Sequence, residues 1–342
     1  MKLWKKAGAL VLALALTLAL AACGQQETQT EEPEEVTGES YSVAALKGPT
    51  AMGLVKLMSD AESGAELTND YTFTLAASAD EVSPKLMQGE LDIACVPANL
   101  AAVLYQKTGG EIVTLGINTL GVLYIVENGN AVTSMADLAG KTIVASGKGS
   151  TPEYALRYLL RENGVDPDGG VVIDWKSEHS ECVSALATGA ATIALLPQPF
   201  VTVAQSKLQD LRVALDLTQE WDALDNGSAL LTGVVVARKD VVEKNPAAID
   251  AFLADYAASV EWVNANTADA AALIGEYGIV DAAVAEKALP ACNIVCITGT
   301  EMKEKLSGYL QVLFDEEPSS VGAQAGADAK TGLPGDDFYY GA

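Results

Sequence analysis

Arginine, histidine and cysteine are all scarce in this chain. Its 342 residues hold four arginines, one histidine (His179) and five cysteines. With one histidine and no paired CxxC motif, a zinc site has too few ligands to assemble in the usual spacing. No GxSxG elbow, HExxH pair or Walker loop occurs, so the common hydrolase, zincin and nucleotide-binding chemistries have no motif to rest on. The stretch SGKGST (Ser146–Thr151) is glycine-rich but lacks the GxxxxGK[ST] spacing. Basic residues are outnumbered: 21 Lys and Arg stand against 46 Asp and Glu, a formal charge of −25. That balance argues against nucleic acid and against an anionic membrane surface, both of which require basic patches. Apolar residues are plentiful at 49%, enough for a large core.

The one long apolar run is Ala7–Ala22, preceded by Lys2, Lys5 and Lys6. It is short for a membrane span, and a charged start with small residues at the end describes an export signal over residues 1–22. Leu20-Ala21-Ala22-Cys23 resembles the bacterial lipobox, which implies cleavage before Cys23 and lipidation of its thiol. Residues 24–40 are rich in Gln, Glu and Thr and cannot bury enough apolar surface to fold. Residues 23–40 therefore read as a lipidated cysteine and an acidic tether, which places the remainder outside the cytoplasmic membrane and held to it.

From Tyr41 onward strands and helices alternate. YSVAAL (Tyr41–Leu46), YTFTLA (Tyr71–Ala76), LDIACV (Leu91–Val96) and IVTLGI (Ile112–Ile117) read as strands. Helical patterns lie between them. One is TAMGLVKLM, with Ala51, Leu54, Val55 and Met58 on one face. A second cycle follows, with strands at Lys141–Ser146, Val171–Trp175, Ala191–Leu196 and Leu211–Leu217. GVLYIVEN (Gly121–Asn128) and ALLTGVVVARKD (Ala229–Asp240) read as long apolar crossings between the cycles. Asn245-Pro246 is a cap followed by proline at the first helical position, and Ile249, Phe252, Leu253, Tyr256, Val260 and Val263 continue at helical spacing. Helices then run to the C-terminus and are expected to cover the first unit. The pattern is α/β with two units, the second inserted in the first.

Five stretches in this order resemble the type II solute-binding proteins of bacterial ABC importers. They are LMQGELDIACVPAN (Leu86–Asn99), DLAGKTIVASGKGSTPEYALRYLL (Asp137–Leu160), LATGAATIALLPQPFVTVA (Leu186–Ala204), the segment Val234–Val263, and LPGDDFYY (Leu333–Tyr340). The nearest likeness is the nitrate/taurine/sulfonate and thiamine-precursor branch. GADAKTG (Gly326–Gly332) departs from it as a local insertion. The resemblance implies a two-lobed periplasmic-binding-protein type II clamp, each lobe a mixed, mostly parallel sheet flanked by helices. Residues 41–123 plus 233–342 would form lobe one, and 124–232 the inserted lobe two. It implies a monomer that takes a small-molecule solute to an ABC permease, with no cofactor. The membrane is reached through the lipid on Cys23.

In open α/β sheets ligands bind beyond the carboxyl ends of strands, where helix starts offer unpaired amides. Three joints qualify here. Gly48, Thr50, Ala51 and Met52 form the first; Gly149, Ser150 and Thr151 the second; Gln198 and Phe200 the third. Asn99, Asn118 and Thr119 would line the opposite wall. Such residues also serve as ordinary turns and caps. None of Arg157, Arg161, Arg212 and Arg238 falls in a joint, so the bidentate clamp usual for carboxylates or sulfonates is missing. That favours a neutral, singly charged or heteroaromatic solute, although Lys148 lies in the second joint. The enzyme that makes the thiamine pyrimidine on this fold needs histidines and a cysteine-rich motif, which this chain lacks. A sensor or surface-interaction protein using the same clamp remains an alternative. Cys95 reads as core, Cys292 and Cys296 as a disulfide only if a turn brings them together, and His179 as solvated in a polar loop.

Overall fold

The computed structural model describes Thr37–Ala342; residues 1–22, read above as an export signal, Cys23, and residues 24–36 of the expected tether lie outside the described residues. The chain begins with β1 (Ser40–Leu46), the short helix α1 (Pro49–Met52), α2 (Val55–Ser63) and β2 (Asp70–Ala76). Next come α3 (Ala79–Gln88), β3 (Ile93–Pro97), α4 (Ala98–Thr108) and β4 (Ile112–Leu120). The second cycle holds β5 (Leu123–Glu127), β6 (Thr142–Ser146), α5 (Thr151–Glu162), β7 (Val172–Lys176), α6 (His179–Ala187), β8 (Ile193–Pro197), α7 (Phe200–Lys207), β9 (Arg212–Asp216) and α8 (Leu217–Asp222). The remainder is β10 (Leu231–Arg238), α9 (Lys239–Lys244), α10 (Pro246–Ala265), α11 (Thr267–Glu276), α12 (Ala282–Ala288), β11 (Ile294–Ile297), α13 (Gly299–Glu316) and α14 (Ala329–Gly332).

Two sheets result, ordered β11-β4-β10-β3-β1-β2 and β7-β6-β8-β5-β9. In the first, β1 pairs in parallel with β2 and β3, while β10 runs antiparallel between β3 and β4. In the second, β6 is parallel to β7 and β8, and β5 runs antiparallel between β8 and β9. Most strands of each sheet therefore point one way; β10 and the edge strand β11 are reversed in the first sheet and β5 in the second. Central strands read as unbroken apolar runs because both faces are covered; β4 and β8 are buried almost throughout. The edge strand β2 alternates exposed and half-buried positions instead.

The run Gly121–Asn128 crosses between the sheets only at Gly121-Val122; Leu123–Glu127 lies inside the second sheet between β8 and β9. The second run, Ala229–Asp240, is not a crossing along its length. Leu231–Arg238 lies in the first sheet, where Val235 pairs with Cys95 and Gly116. An apolar strand has the same pattern whether it bridges two sheets or fills the middle of one. The helix expected over Ala51–Met58 is interrupted at Gly53-Leu54. Ser259 of α10 fits the interruption: its hydroxyl donates to the Gly53 carbonyl (2.7 Å) and accepts from the Leu57 amide (3.1 Å). One buried side chain thus satisfies both backbone groups that the break releases.

The predicted face of α10 packs on the first sheet, with Ile249, Phe252, Tyr256, Val260 and Val263 buried beside Val43, Cys95 and Val235. On the opposite side, Tyr309, Leu310 and Leu313 of α13 share one core with Val234 and Val236 of the first sheet and Ile125 and Leu195 of the second. Cys292 and Cys296 are free thiols, as are Cys95 and Cys182. Cys292 ends a 3-10 turn while Cys296 lies in β11, and no bridge joins them.

Candidate functional site

Four strand-to-helix joints converge between the two sheets. They are β1 to α1, β6 to α5, β7 to α6 and β8 to α7. They enclose a cavity of ≈ 200 Å³. Its apolar wall includes Leu46, Pro49, Val122, Leu123, Pro152 and Phe200, with Pro197 and Pro199. Its polar lining is Lys47, Gly48, Thr50, Thr151, His179, Gln198 and Thr232. The first sheet contributes through β1, the start of α1 and β10; the second contributes through β5 and three helix starts.

Five of the residues expected from sequence meet here: Gly48, Thr50, Thr151, Gln198 and Phe200. Thr50 donates to the Leu46 carbonyl (3.0 Å), which closes the turn into α1. Thr151 receives the hydroxyl of Tyr309 from α13 (3.1 Å). The side-chain carbonyl of Gln198 accepts from the Thr202 hydroxyl (2.9 Å), so its NH2 group remains as a donor. The ring of Phe200 lies 4.9 Å from that of His179, tilted by 48°.

The others stand back from the cavity. Ala51 and Met52 are core residues with no exposed surface. Asn118 donates to the Thr50 carbonyl (3.3 Å) and accepts from Thr119 (3.0 Å), so the pair braces α1 from behind. Gly233 must lack a side chain for this to fit, since a Cβ there would stand 2.5 Å from both Asn118 Oδ1 and Thr50 Cγ2. Asn99 donates to the Ser320 carbonyl (3.1 Å), joining α4 to the C-terminal segment. Ser150 closes its own loop by donating to the Gly147 carbonyl (2.8 Å). The Gly149 amide donates to Glu153 (2.7 Å).

That last contact alters the electrostatics expected from sequence. A carboxylate, that of Glu153, thus stands beside the start of α5, which makes a second anion there less favourable. At α6 the amides of Ser177 and Glu178 likewise donate to Glu181 (2.8 and 3.2 Å). The arginines are occupied too. Arg157 pairs with Asp168, Arg161 with Glu316, Arg212 with Glu127, and Arg238 with Asp240 and Asp92. None of them lines the cavity.

His179 is the principal residue that sequence reasoning missed. It is not solvated in a loop but opens α6 and is half-buried against Phe200. Burial holds its imidazole down to about 4, against a smaller opposing pull from Glu178. The stretch KSEHSE reads as surface because all six of its residues are polar. Its place after a strand was the available signal, since the rule applied to three joints applies equally to this fourth one. Thr232 was missed as well; its hydroxyl is buried without a hydrogen-bond partner. Among the described residues no cluster of His, Cys, Asp and Glu is arranged to hold a metal ion, and no helix is long and apolar enough to cross a membrane.

The sequence profile of a family described as the periplasmic substrate-binding protein of phosphonate ABC transporters matches residues 64–288. Among solved structures, an ABC transporter protein from Parabacteroides distasonis is similar at TM-score 0.72 and 24% identity, over 88% of this chain and 98% of that one. The periplasmic aliphatic sulphonate binding protein of Escherichia coli is similar at TM-score 0.67 and 18% identity, over 81% and 92%. The periplasmic nitrate-binding protein of Synechocystis is similar at TM-score 0.52 and 15% identity, over 70% and 66%. Curated protein sequences yield no match. The structures share the type II clamp architecture, with two mixed sheets flanked by helices.

Proposed function

From the chain's membership of the phosphonate-type periplasmic substrate-binding family of ABC transporters, we propose that it captures a small organic solute between two lobes and delivers it to a permease. The carrying observation is the cavity itself, built from the carboxyl ends of strands in both sheets. Residues 41–123 with 233–342 and residues 124–232 are taken as the lobes. Closing such lobes by hinge bending would complete the solute's surroundings. At ≈ 200 Å³ the cavity is smaller than the ~300–1,000 Å³ of drug-sized sites, so the solute is small. The mostly apolar wall favours an apolar body over a compact inorganic ion. The ligand-contact set proposed is Gly48, Thr50, Thr151, Gln198 and Phe200, with His179 and Thr232 added.

Thermal-shift screening is the test, with alkylphosphonates, alkylsulfonates, nitrate, pyrimidines and aromatic acids as the panel. A member at a hundred times its Kd is expected to stabilise the protein by about 2.7 kcal/mol. Phe200→Ala is then expected to weaken that member roughly thirtyfold, the equivalent of about 2 kcal/mol for a buried aromatic wall. Unchanged affinity in Phe200→Ala would place the solute elsewhere.

The anchor is proposed from the leader and Cys23. In cells fed a labelled fatty acid, the full-length protein is expected to carry label and sediment with membranes. Cys23→Ser is expected to lose the label and appear in the soluble fraction. Equal membrane recovery of both forms would rule the lipid anchor out.

A further inference from the structure

His179 is the one histidine of the chain, and its two ring nitrogens have different surroundings. Nδ1 is in hydrogen-bond contact with the hydroxyl of Ser146, the last residue of β6, which is 1% exposed. Among the described residues Nε2 bonds no protein group, and the ring lines the cavity. Nδ1 is therefore committed to the protein, and Nε2 is the atom left for a solute.

The direction of the Ser146 contact decides what Nε2 offers. The other polar neighbour of the Ser146 hydroxyl is the thiol of Cys182, buried in α6. That thiol already directs its hydrogen to the Glu178 carbonyl (3.8 Å). The Ser146 hydroxyl can give its single proton to Nδ1, or give it to the thiol sulfur and accept an Nδ1–H; nitrogen is the stronger acceptor, so the first arrangement makes the stronger bond. Donation to Nδ1 leaves that nitrogen without a proton, which puts the ring's proton on Nε2. The charges near the ring do not reverse this. Glu178 adjoins it, Glu181 is taken up by the amides of Ser177 and Glu178, Lys176 pairs with Asp174, and Lys47 is exposed across the cavity.

We propose that Ser146 is a positioning residue that fixes His179 as a neutral Nε2–H donor, so that the cavity selects a solute with an apolar body and an uncharged or singly charged hydrogen-bond acceptor. This rests on the solute-binding reading and adds the chemistry of the solute. The other polar groups agree with it. The Gln198 NH2 group is a second donor, and the buried hydroxyl of Thr232, from the first sheet, lines the same cavity without a partner. A dianion would meet Lys47 as its one cationic neighbour in the lining, no arginine, and the carboxylates of Glu153 and Glu181 beside two of the helix starts.

The test uses histidine labelled with 15N, because only His179 then reports. In the solute-free protein, Nδ1 is expected to be unprotonated and Nε2 protonated, as one tautomer from pH 8 to about pH 5. Ser146→Ala is expected to give mixed tautomers, and Ser146→Thr, which restores the hydroxyl, to return the single one. An Nδ1–H tautomer, or titration near 6.5 in the unmodified protein, would overturn the proposal whatever binds. The solute class is tested with an uncharged pyrimidine and benzoate against methylphosphonate. Tighter binding of methylphosphonate than of the pyrimidine and benzoate at pH 8, where it is mostly the dianion, would overturn the class. A single Nε2–H tautomer with no panel member bound would count against solute capture, and is distinct from failure of the Ser146–His179 arrangement. Where an acceptor-bearing solute binds, Ser146→Ala is expected to weaken it about tenfold and Ser146→Thr to recover most of that.

Discussion

Replacing Arg212 by Met is expected to destabilise the protein by about 3 kcal/mol, because it strands a buried carboxylate. Glu127 is 4% exposed at its side chain and faces Arg212 across the β5–β9 pairing. It accepts from the amides of Ala131 (3.0 Å) and Val132 (3.1 Å) as well as from the guanidinium. Arg212 also donates to the carbonyls of Gly129 (2.9 Å) and Val132, so one side chain ties down the turn after β5. About 3 kcal/mol in a chain of this size corresponds to a fall in Tm of roughly 6–12 °C.

The pH dependence separates charge from packing. Burial raises the Glu127 carboxyl, but the amides of Val132 and Ala131 together with Arg212 outweigh it and leave it below the usual carboxylate range. A group depressed in the folded state adds stability above its unfolded value and loses it as pH falls through the folded value. The unmodified protein therefore gives up this contribution in acid. In Arg212→Met the lone carboxyl is protonated more readily, so the difference between the two proteins should narrow from pH 7 to pH 4. Denaturant unfolding at both values measures it. An equal loss at both would mean that Arg212 acts through packing alone.

Trp221→Ala is expected to cost about 3–5 kcal/mol, the range for truncating a large buried aromatic. Trp221, in α8, has no exposed surface, and its indole N–H donates to Ser228 (2.9 Å). It lies 4.8 Å from the ring of Tyr158 in α5 and 5.7 Å from that of Tyr309 in α13. The three rings join helices of the second sheet to a helix packed on the first. The Tyr309 hydroxyl continues this line to Thr151 at the cavity. The variant is therefore expected to lose solute affinity along with stability, whereas Trp221→Phe should retain most of both. Calorimetry read beside the thermal-shift response measures the two effects. A stability loss below about 1 kcal/mol would mean that the core closes around the gap with little residual cavity.

Much of this molecule is legible in local sequence order. Unbroken apolar runs such as IALLP and IVTLGI identify central strands, because only strands covered on both faces tolerate them. The spacing of Ile249, Phe252, Tyr256 and Val260 identifies the buried face of α10. Strand ends followed by helix starts locate five residues of the cavity, and no arginine lines it. These properties reside in neighbouring residues, where periodicity of 2 or 3.6 records which face is buried. Partner choice is different, since it depends on residues distant in sequence. Leu231–Arg238 reads the same as a bridge or as a central strand, and only its pairing with β3 and β4 decides which. Glu153 and Glu181, by contrast, accept amides only three or four positions before them, a local capping pattern that the sequence carries. His179 looks solvated until Phe200, 21 positions later in the sequence, folds against it. Sequence alone therefore determined most elements and the place of the candidate cavity. Tertiary structure decided the surroundings of its residues, because burial and contacts between distant residues set the neighbours of an imidazole and the partner of a buried carboxylate.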